Sequence, residues 1–334
     1  MITDASDPAD ASDPAGAAVD SVAAVASVAS DAAAGSDAAD ASDAAVASVP
    51  AVASDAADAS DAADASGAAD ASVLPEAAGL LGAAESASGS ESASGSDAAR
   101  LPDAAGLLRA AVRNNADWCD TMCRAHGLSG AFGPRAWTSP RRSPLYYPDA
   151  VTLAEEATAD DVLTGIDRTA PGASVKDSHA RLDLAAAGFR LLFEASWIHR
   201  PAHLPAPRPT GDWRPVRTPD ELAAWALAWS GGDADEAALF RPALLADPAT
   251  TIVAGHADDG RILGGAVLTG SAGVTGVSNL FTADDVPASY AWAGALAAAA
   301  PGLPVVGYES GDDLTAALAE GFEPLGPLRV WLDA

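Results

Sequence analysis

A low-complexity segment ends abruptly at residue 100, and this change limits what the chain can fold into. The first hundred residues are almost entirely Ala, Asp, Ser, Gly and Val, with tandem units such as SDAADASDAADAS at 54–66. They include eighteen Asp and Glu residues, one basic residue and no aromatic residue. With so little bulky apolar surface, ordering this backbone would cost more entropy than burial returns. We therefore expect residues 1–100 to form a disordered acidic tail.

The charge balance and the hydropathy pattern argue against several classes of protein. A net charge of −29 disfavours nucleic-acid binding, because a phosphate backbone would be repelled. The N-terminus lacks the basic and apolar regions of a secretory signal. Residues 286–308 are uncharged, but three prolines interrupt them, so we expect a buried helix followed by a buried strand and no membrane span. Two cysteines provide no disulfide framework. A cytoplasmic protein is expected, with its oligomeric state open.

Hydrophobic periodicity predicts alternating helices and strands after residue 100. Residues 105–126 favour one helix or two in sequence, 145–153 a strand, the segment from Asp160 a helix, and GASVKDS a short strand. A helix is predicted over 179–189, followed by a strand over 190–198. From residue 213 the predicted order is β-α-α-β-β-β-α-β-α-β, and its second helix covers 234–248.

One short sequence pattern occurs twice in this part of the chain. LAAAGFRLLFEASWI occupies 184–198, and ALAEGFEPLGPLRVWL occupies 317–332. Each copy has a short Ala/Leu helix, a Gly-Phe pair and an apolar stretch that contains Trp. Gly188 and Gly321 are expected to end their helices in the left-handed conformation, which costs glycine little. Phe189 and Phe322 would then fold back under those helices.

This order of elements, with its closing helix–Gly-Phe–strand unit, resembles the GNAT superfamily of N-acetyltransferases. In that family a mixed β-sheet opens between two strands and acetyl-CoA lies in the gap. The resemblance implies an α/β (α+β) fold, a GNAT-like mixed sheet flanked by helices. Residues 213–334 would be the acyltransferase domain, 101–200 a shortened GNAT-like half, and 201–212 a proline-rich linker.

The resemblance also implies where acetyl-CoA would bind. The matching segment reads SNLFTADDVPAS at 278–289, which assigns Asn279, Leu280, Phe281 and Thr282 to the cofactor site. The family's phosphate-binding turn carries Gln or Arg and glycines, whereas this segment has none of these and supplies Asp284 and Asp285. Those carboxylates would repel a pyrophosphate and leave CoA binding in question. Alternatively one of them caps the following helix, and we favour this reading.

Two residues stand where the family places its acid and base. The family commonly uses a carboxylate that acts through water as the base and a tyrosine as the acid. VVGYES puts Tyr308 and Glu309 at the end of a strand beside the expected cleft, and we assign Glu309 as the base. Strand alternation predicts that at most one of the two side chains faces the substrate. The acceptor would be a small-molecule or peptide amine.

Two further groups of residues have competing interpretations. Cys119, Cys123 and His126 share one helix face, so they would either bind zinc with a fourth histidine or form buried core thiols. We favour core thiols and predict no metal site. The segment RAWTSPRRSPLYYP at 135–148 would either hold an anionic ligand or the acidic tail, or form a proline-rich loop with solvated charges, and the loop is favoured.

Two functions are therefore compatible with the sequence. The first is an acyl-CoA-dependent N-acyltransferase that transfers an acetyl group to an amine. The second is a catalytically inactive GNAT-like binding or scaffold protein. The second is suggested by the missing phosphate turn and by the missing tyrosine in the helix DDLTAALAEGF.

Overall fold

The computed structural model describes residues 103–334, so the acidic tail predicted for 1–100 lies outside the described residues. The strands are β1 Ala131–Phe132, β2 Ala136–Thr138, β3 Ala150–Thr152, β4 Ser174–Asp177, β5 Phe189–Arg200, β6 Asp212–Pro215, β7 Thr250–His256, β8 Ile262–Ser271, β9 Val274–Thr282, β10 Val305–Glu309 and β11 Glu323–Asp333. The α-helices are α1 Ala104–Ala125, α2 Ala159–Leu163, α3 Pro219–Trp229, α4 Ala234–Ala237, α5 Ala288–Ala298 and α6 Gly311–Ala319. Short 3₁₀ turns cover Ala185–Ala187 and Pro242–Ala246.

The strands form one mixed sheet, and the strands on its two sides follow nearly the same arrangement. Their order across the sheet is β1-β2-β3-β4-β11-β5-β10-β9-β8-β7-β6. Two neighbouring pairs are parallel, β3 with β4 and β9 with β10, and the other neighbours are antiparallel. Apart from β6, the order and the pair directions mirror each other about the central β11–β5 pair. The predicted fold class, α/β with a mixed sheet flanked by helices, is confirmed.

The two repeated sequence units supply the two central strands. β5 ends the first unit and pairs with β10, whereas β11 ends the second unit and pairs with β4. The two strands also pair with each other, from Glu323 opposite His199 to Asp333 opposite Phe189. Each unit therefore places its closing strand beside strands from the other part of the chain.

The same hydrogen bonds end both repeated helical segments. Gly188 N–H donates to the carbonyl of Ala185, and Phe189 N–H donates to that of Leu184. Gly321 and Phe322 donate in the same pattern, three and five residues back along the chain. Both glycines have positive φ, 92° and 87°, and both phenylalanines are buried. This is the Schellman arrangement, in which glycine takes the left-handed position, and it confirms the expected turns.

Helices cover both faces of the sheet, as the burial of adjacent strand residues shows. Ile252 and Val267 pack in a core cluster with residues of α1 and α3, including Trp118 and Trp225. Their chain neighbours Val253 and Ala266 pack in a second cluster with residues of α5. Because successive side chains of a strand point to opposite faces, β7 and β8 are covered on both sides.

Two predicted helices are wrong, each for a local reason. Residues 179–189 contain only the 3₁₀ turn, because the Asp177 carboxylate accepts the Leu182 N–H and Ala180 has a φ of 51°, which is not helical. Within 234–248, Pro242 lacks the backbone N–H that a continuous helix needs. The predicted helix is replaced by the short helix α4 and a 3₁₀ turn.

Other boundaries also differ from the prediction. The strand expected over 145–153 is limited to β3, and the two short strands β1 and β2 were not predicted. Residues 286–308 form a helix and a strand, α5 and β10, as expected. Among residues 103–334, no helix is both long and apolar enough to cross a membrane.

Candidate active site between the parted strands

The sheet opens between β9 and β10. These strands pair only through Val305 with Thr275 and Val306 with Gly276, and then they separate. A β-bulge in β9 lies beside the opening: Phe281 faces Gly265 and Ser278 faces Val267, so two residues of β9 stand opposite one of β8. A bulge disrupts the ladder locally and redirects side chains. It therefore leaves backbone groups of β9 facing the gap.

All six residues that the sequence assigned to a site line one cavity in this gap. The cavity holds about 80 Å³. The six are Asn279, Leu280, Phe281, Thr282, Tyr308 and Glu309. Tyr308 and Glu309 both line the cavity, although strand alternation sends their side chains to opposite faces of the sheet. Which of the two would face a substrate stays a prediction.

Asn279 is the residue at the bulge with an unusual backbone. Its φ is 51°, in the left-handed region that few residues other than glycine adopt. Its side-chain Oδ1 accepts a hydrogen bond of 3.2 Å from the Tyr147 hydroxyl. Strained backbone conformations often cluster at functional sites. The tyrosine contact helps to hold the bulge in this shape.

Glu309 is a carboxyl group with an altered acidity. Burial raises its pKa from 4.5 to about 8, and the nearby Asp313 carboxylate adds to the increase. Both effects disfavour the charged form, since the ion loses hydration and faces a like charge. A base whose pKa lies near neutral pH can take a proton and release it again.

The structure adds cavity residues that sequence reasoning did not assign. From α1 come Asn115, Trp118 and Cys119, and from the loop before β3 come Tyr146 and Tyr147. The prediction that 135–148 is a loop is therefore wrong in part, and residues near its start are also ordered and buried, since 136–138 form β2 and Trp137 is fully buried. Tyr147 is buried, and burial raises the pKa of its hydroxyl well above the ordinary value, which keeps it neutral. Two adjacent tyrosines in a proline-rich loop were the available signal.

Lys176 on β4 is the second unassigned residue of importance. It is the chain's one lysine and is only 4% exposed. Its Nζ donates a 2.9 Å hydrogen bond to Asn115 Oδ1 and lies 4.1 Å from the centre of the Tyr308 ring. The signal in the sequence was the chain's single lysine, placed in a short predicted strand.

A second cavity of about 370 Å³ shares a wall with the first. It lies between the loop before β3 and residues of the central strands. Five residues line both cavities: Tyr146, Tyr147, Pro148, Lys176 and Tyr308. The second cavity is large enough for a small molecule.

The acidic turn does not cap the helix after it. α5 begins at Ala288, and its N-cap is Pro287, without a side-chain cap. Our preferred reading, in which Asp284 or Asp285 caps the helix, is therefore wrong. Proline fixes the backbone before the helix, and both carboxylates lie on exposed residues. Asp285 Oδ1 lies 3.7 Å from Arg261 Nη1.

The cysteines of α1 are buried free thiols. Cys119 and Cys123 are 1% and 0% exposed, and burial raises the pKa of both, that of Cys119 to about 12. His126 Nε2 lies 2.8 Å from the Leu239 carbonyl oxygen. Over residues 103–334, no group of three His, Cys, Asp or Glu side chains is placed to hold a metal ion.

Comparisons with known proteins give matches among solved structures. No family model and no curated protein matches the chain. A GCN5-related N-acetyltransferase from Kribbella flavida is 17% identical, over 67% of this chain and 95% of its own, with a TM-score of 0.43. A putative GNAT-family acetyltransferase from Novosphingobium aromaticivorans is 14% identical over the same shares, with a TM-score of 0.37.

A third similar structure has a ligand in its description. Saccharomyces cerevisiae N-myristoyltransferase, solved with bound myristoyl-CoA, is 12% identical over 48% of this chain and 51% of its own, with a TM-score of 0.34. At such identities no residue role can be carried from these proteins to this chain.

Proposed function

We propose that the protein is an acyl-CoA-dependent N-acyltransferase that transfers an acyl group such as acetyl to the amine of a small molecule or peptide. The observation that carries the proposal is Glu309, a carboxyl with a pKa of about 8 that lines a cavity between parted parallel strands. Such a group suits the deprotonation of an amine near neutral pH.

The residues present fit a thioester at the gap. Beyond Gly276, β9 pairs with β8 but no longer with β10. The backbone groups on the free edge of 277–282 are therefore available to an amide-containing ligand. Trp229 also lines the cavity, and its buried Nε1–H has no hydrogen-bond partner among the described residues. A buried donor without a partner is costly and is compatible with a polar ligand.

Each residue then has a defined role. A bound acyl-CoA would supply the thioester carbonyl that the amine nitrogen attacks as the carbon–sulfur bond breaks. Glu309 accepts the proton that the amine loses, directly or through one water. Tyr308 holds the proton that the leaving thiolate needs. Backbone N–H groups beside the bulge at Asn279 would be the donors for the carbonyl oxygen.

Calorimetric titration with acetyl-CoA and longer acyl-CoAs, paired with turnover assays, tests this function. We expect binding by the wild-type protein, and we expect Glu309→Gln to retain binding while turnover falls about a hundredfold or more, the usual contribution of a general base. Glu156→Gln, an exposed carboxyl that lines neither cavity, is the control and should change neither quantity. The proposal fails if no acyl-CoA binds at millimolar concentration.

One observation favours an inactive binding protein as the second candidate. Asp284 and Asp285 are exposed in the turn that leads into α5, where the resemblance would place the pyrophosphate. Two carboxylates there oppose a phosphate group. Binding of amine ligands without any acyl transfer would support this candidate over the enzyme.

A further inference from the structure

We propose that the acceptor is an amino acid with an apolar side chain and that the Lys176 ammonium binds its carboxylate. This inference rests on the proposed acyl transfer, because it names the amine that would receive the acyl group. It starts from an ammonium that is buried at the boundary of the two cavities and that has no carboxylate partner within residues 103–334.

Lys176 has few partners for a buried charge. Among the described residues, no carboxylate oxygen lies within 4.0 Å of its Nζ. Its one hydrogen bond goes to Asn115, and the Tyr308 ring covers it. An ammonium has three donors, so it can still bind an acceptor from a ligand. Buried charges in proteins are usually paired, which indicates that an anion completes this site.

The other cation that lines the second cavity is already paired within the protein. Arg142 lines this cavity, but its Nη1 pairs with Asp149 at 3.3 Å and its Nη2 donates to the Ala170 carbonyl. The Asp149 carboxylate in turn accepts the backbone N–H groups of Ser143 and Ser174. The Arg142–Asp149 pair therefore has its charges satisfied within the protein. Lys176 is the cation that a ligand carboxylate would meet.

The charges of the cavities are arranged for a ligand with both signs. Glu309 and Asp313 are acidic groups of the first cavity, and Glu309 directly follows Tyr308, whose ring lies against the Lys176 ammonium. Lys176 and Glu309 both line the first cavity, so a ligand there can place its amine toward Glu309 and its carboxylate toward Lys176. One small molecule that carries both charged groups would fit this arrangement.

The second cavity offers an apolar surface for a side chain. Leu192, Phe193, Val330 and Leu332 come from the central strands, and the Tyr146 side chain completes the wall. With about 370 Å³ of space, it can hold an aliphatic or aromatic group. Lys176 lines both cavities, so one ligand can place its carboxylate there while its side chain enters the second cavity.

Matched pairs of acceptors test this inference with the full chain. The assay compares leucine, methionine, phenylalanine and tryptophan with the four amines that lack only the carboxylate, in the presence of acetyl-CoA. At least one amino acid should give a kcat/KM about tenfold or more above its amine, the value of one charge-assisted hydrogen bond. Lys176→Met should remove this preference through KM, and Lys176→Arg should restore part of it.

Folding and surface charge are controlled with further variants. Lys176→Gln keeps a polar contact to Asn115 without the charge and should behave like Lys176→Met. Arg190→Met removes an exposed cation that lines neither cavity and should leave the preference unchanged. Thermal melts establish that each variant is folded before its kinetics are compared.

A calorimetric titration of the same amino acids without acyl-CoA separates the two proposals. Transfer to amines regardless of a carboxylate would overturn the inference while the proposed function stands. Binding of amino acids that depends on Lys176, without any transfer, would support the carboxylate site while the proposed function fails. If no amino acid binds and none is acylated, the inference is wrong.

Discussion

At the residue scale, Glu309 sets the expected pH dependence of activity. The carboxyl must be ionised to act as a base, and its pKa is raised to about 8. We therefore predict that kcat/KM increases with pH and levels off above about pH 8, as measured in a series of buffers at constant ionic strength. Glu309→Gln should lose this pH dependence together with most of the activity. A wild-type profile that is flat between pH 6 and 9 would contradict the assignment.

The same shift predicts an effect on stability, with a defined sign. Because the folded-state pKa lies above the ordinary value of 4.5, the folded protein binds the proton more tightly than the unfolded chain. This contribution is fully present below about pH 4.5 and is lost as pH increases through about 8. The melting temperature of the wild type, relative to that of Glu309→Gln, should fall across this window. A difference that increases with pH would show that the pKa is lowered instead.

The sequence predicted cavity residues only where residues adjacent in the chain line the cavity together. Tyr308 and Glu309 are consecutive at a strand end, and 279–282 form one segment, so the resemblance located both groups. Tyr147 and Lys176 reach the same cavity from another part of the chain. Tyr147 is 132 residues from its partner Asn279. No local pattern reports such a contact, because it exists only once the sheet has formed.

At the element scale, α5 contains a glycine whose replacement should reverse the usual trend. Alanine in a helix interior is normally about 1 kcal/mol more stable than glycine. A Cβ at Gly294 would overlap the ring of Trp213, and that ring also lies against Gly255 and Tyr290. Overpacking costs about 1–3 kcal/mol, which offsets or exceeds this gain, so Gly294→Ala should lower the free energy of unfolding by up to about 2 kcal/mol.

Urea denaturation provides the measurement for this helix. Ser289→Ala, at an exposed position of α5, is the control and should change the free energy of unfolding by less than about 0.5 kcal/mol. Stabilisation by Gly294→Ala would show that the Trp213 ring can move aside.

The turn before α5 gives a prediction about ligand affinity. Since Pro287 occupies the N-cap, replacing Asp284 and Asp285 by Asn removes two charges without removing a cap. If acyl-CoA binds as proposed, the double variant should bind it about two- to fivefold more tightly, because exposed charges each contribute less than about 1 kcal/mol. The gain should diminish at high salt, where charges are screened.

A matched charge change controls this experiment. Glu155→Gln with Glu156→Gln removes two charges from a turn that lines neither cavity, and it should leave acyl-CoA affinity unchanged. An equal gain from both double variants would indicate a general effect of net charge. Weaker binding by the Asn variant would show that the aspartates contribute to the site.

Element type was predictable where the hydrophobic period is long and uninterrupted. α1, α3, α5 and the β7–β8 hairpin follow their patterns closely. The segment 179–189 has helix-forming residues, but local hydrogen bonds from His179 N–H and Leu182 N–H to the Asp177 carboxylate hold its start in a turn. Propensity is a weak preference that such contacts override. The two-residue strand β1 is too short to give a periodic signal.

At the scale of the whole molecule, the mirrored strand order suggests a duplication. We propose that residues 101–200 and 213–334 are related halves that exchange their closing strands, with 201–212 as the linker. The described residues 201–211 contain no helix or strand. The exchange makes one continuous sheet, with β5 and β11 at its centre. Sequence alone showed the repeat but not the exchange, because pairing partners lie more than a hundred residues apart.

This exchange predicts that residues 213–334 do not fold alone. Without β5, both β10 and β11 lose a hydrogen-bonded neighbour. Ile198 of β5 is fully buried and packs in the same core cluster as Val305 and Phe322, so that core would also open. Exposed strand edges with apolar side chains tend to aggregate. The isolated segment should therefore show no cooperative unfolding by circular dichroism.

Adding back the missing strand distinguishes this effect from a simple loss of length. Co-expression of residues 101–212 with residues 213–334 supplies β5 and β4 in trans, and the pair should co-purify and unfold in one transition. In the 101–212 segment, Trp197→Ala should weaken this association. Trp197 pairs with Tyr308, is buried, and donates its indole N–H to the Ser178 carbonyl, so its loss costs about 3–5 kcal/mol. A cooperative melt of residues 213–334 alone would show instead that the second half is an independent domain and that β5 only covers its edge.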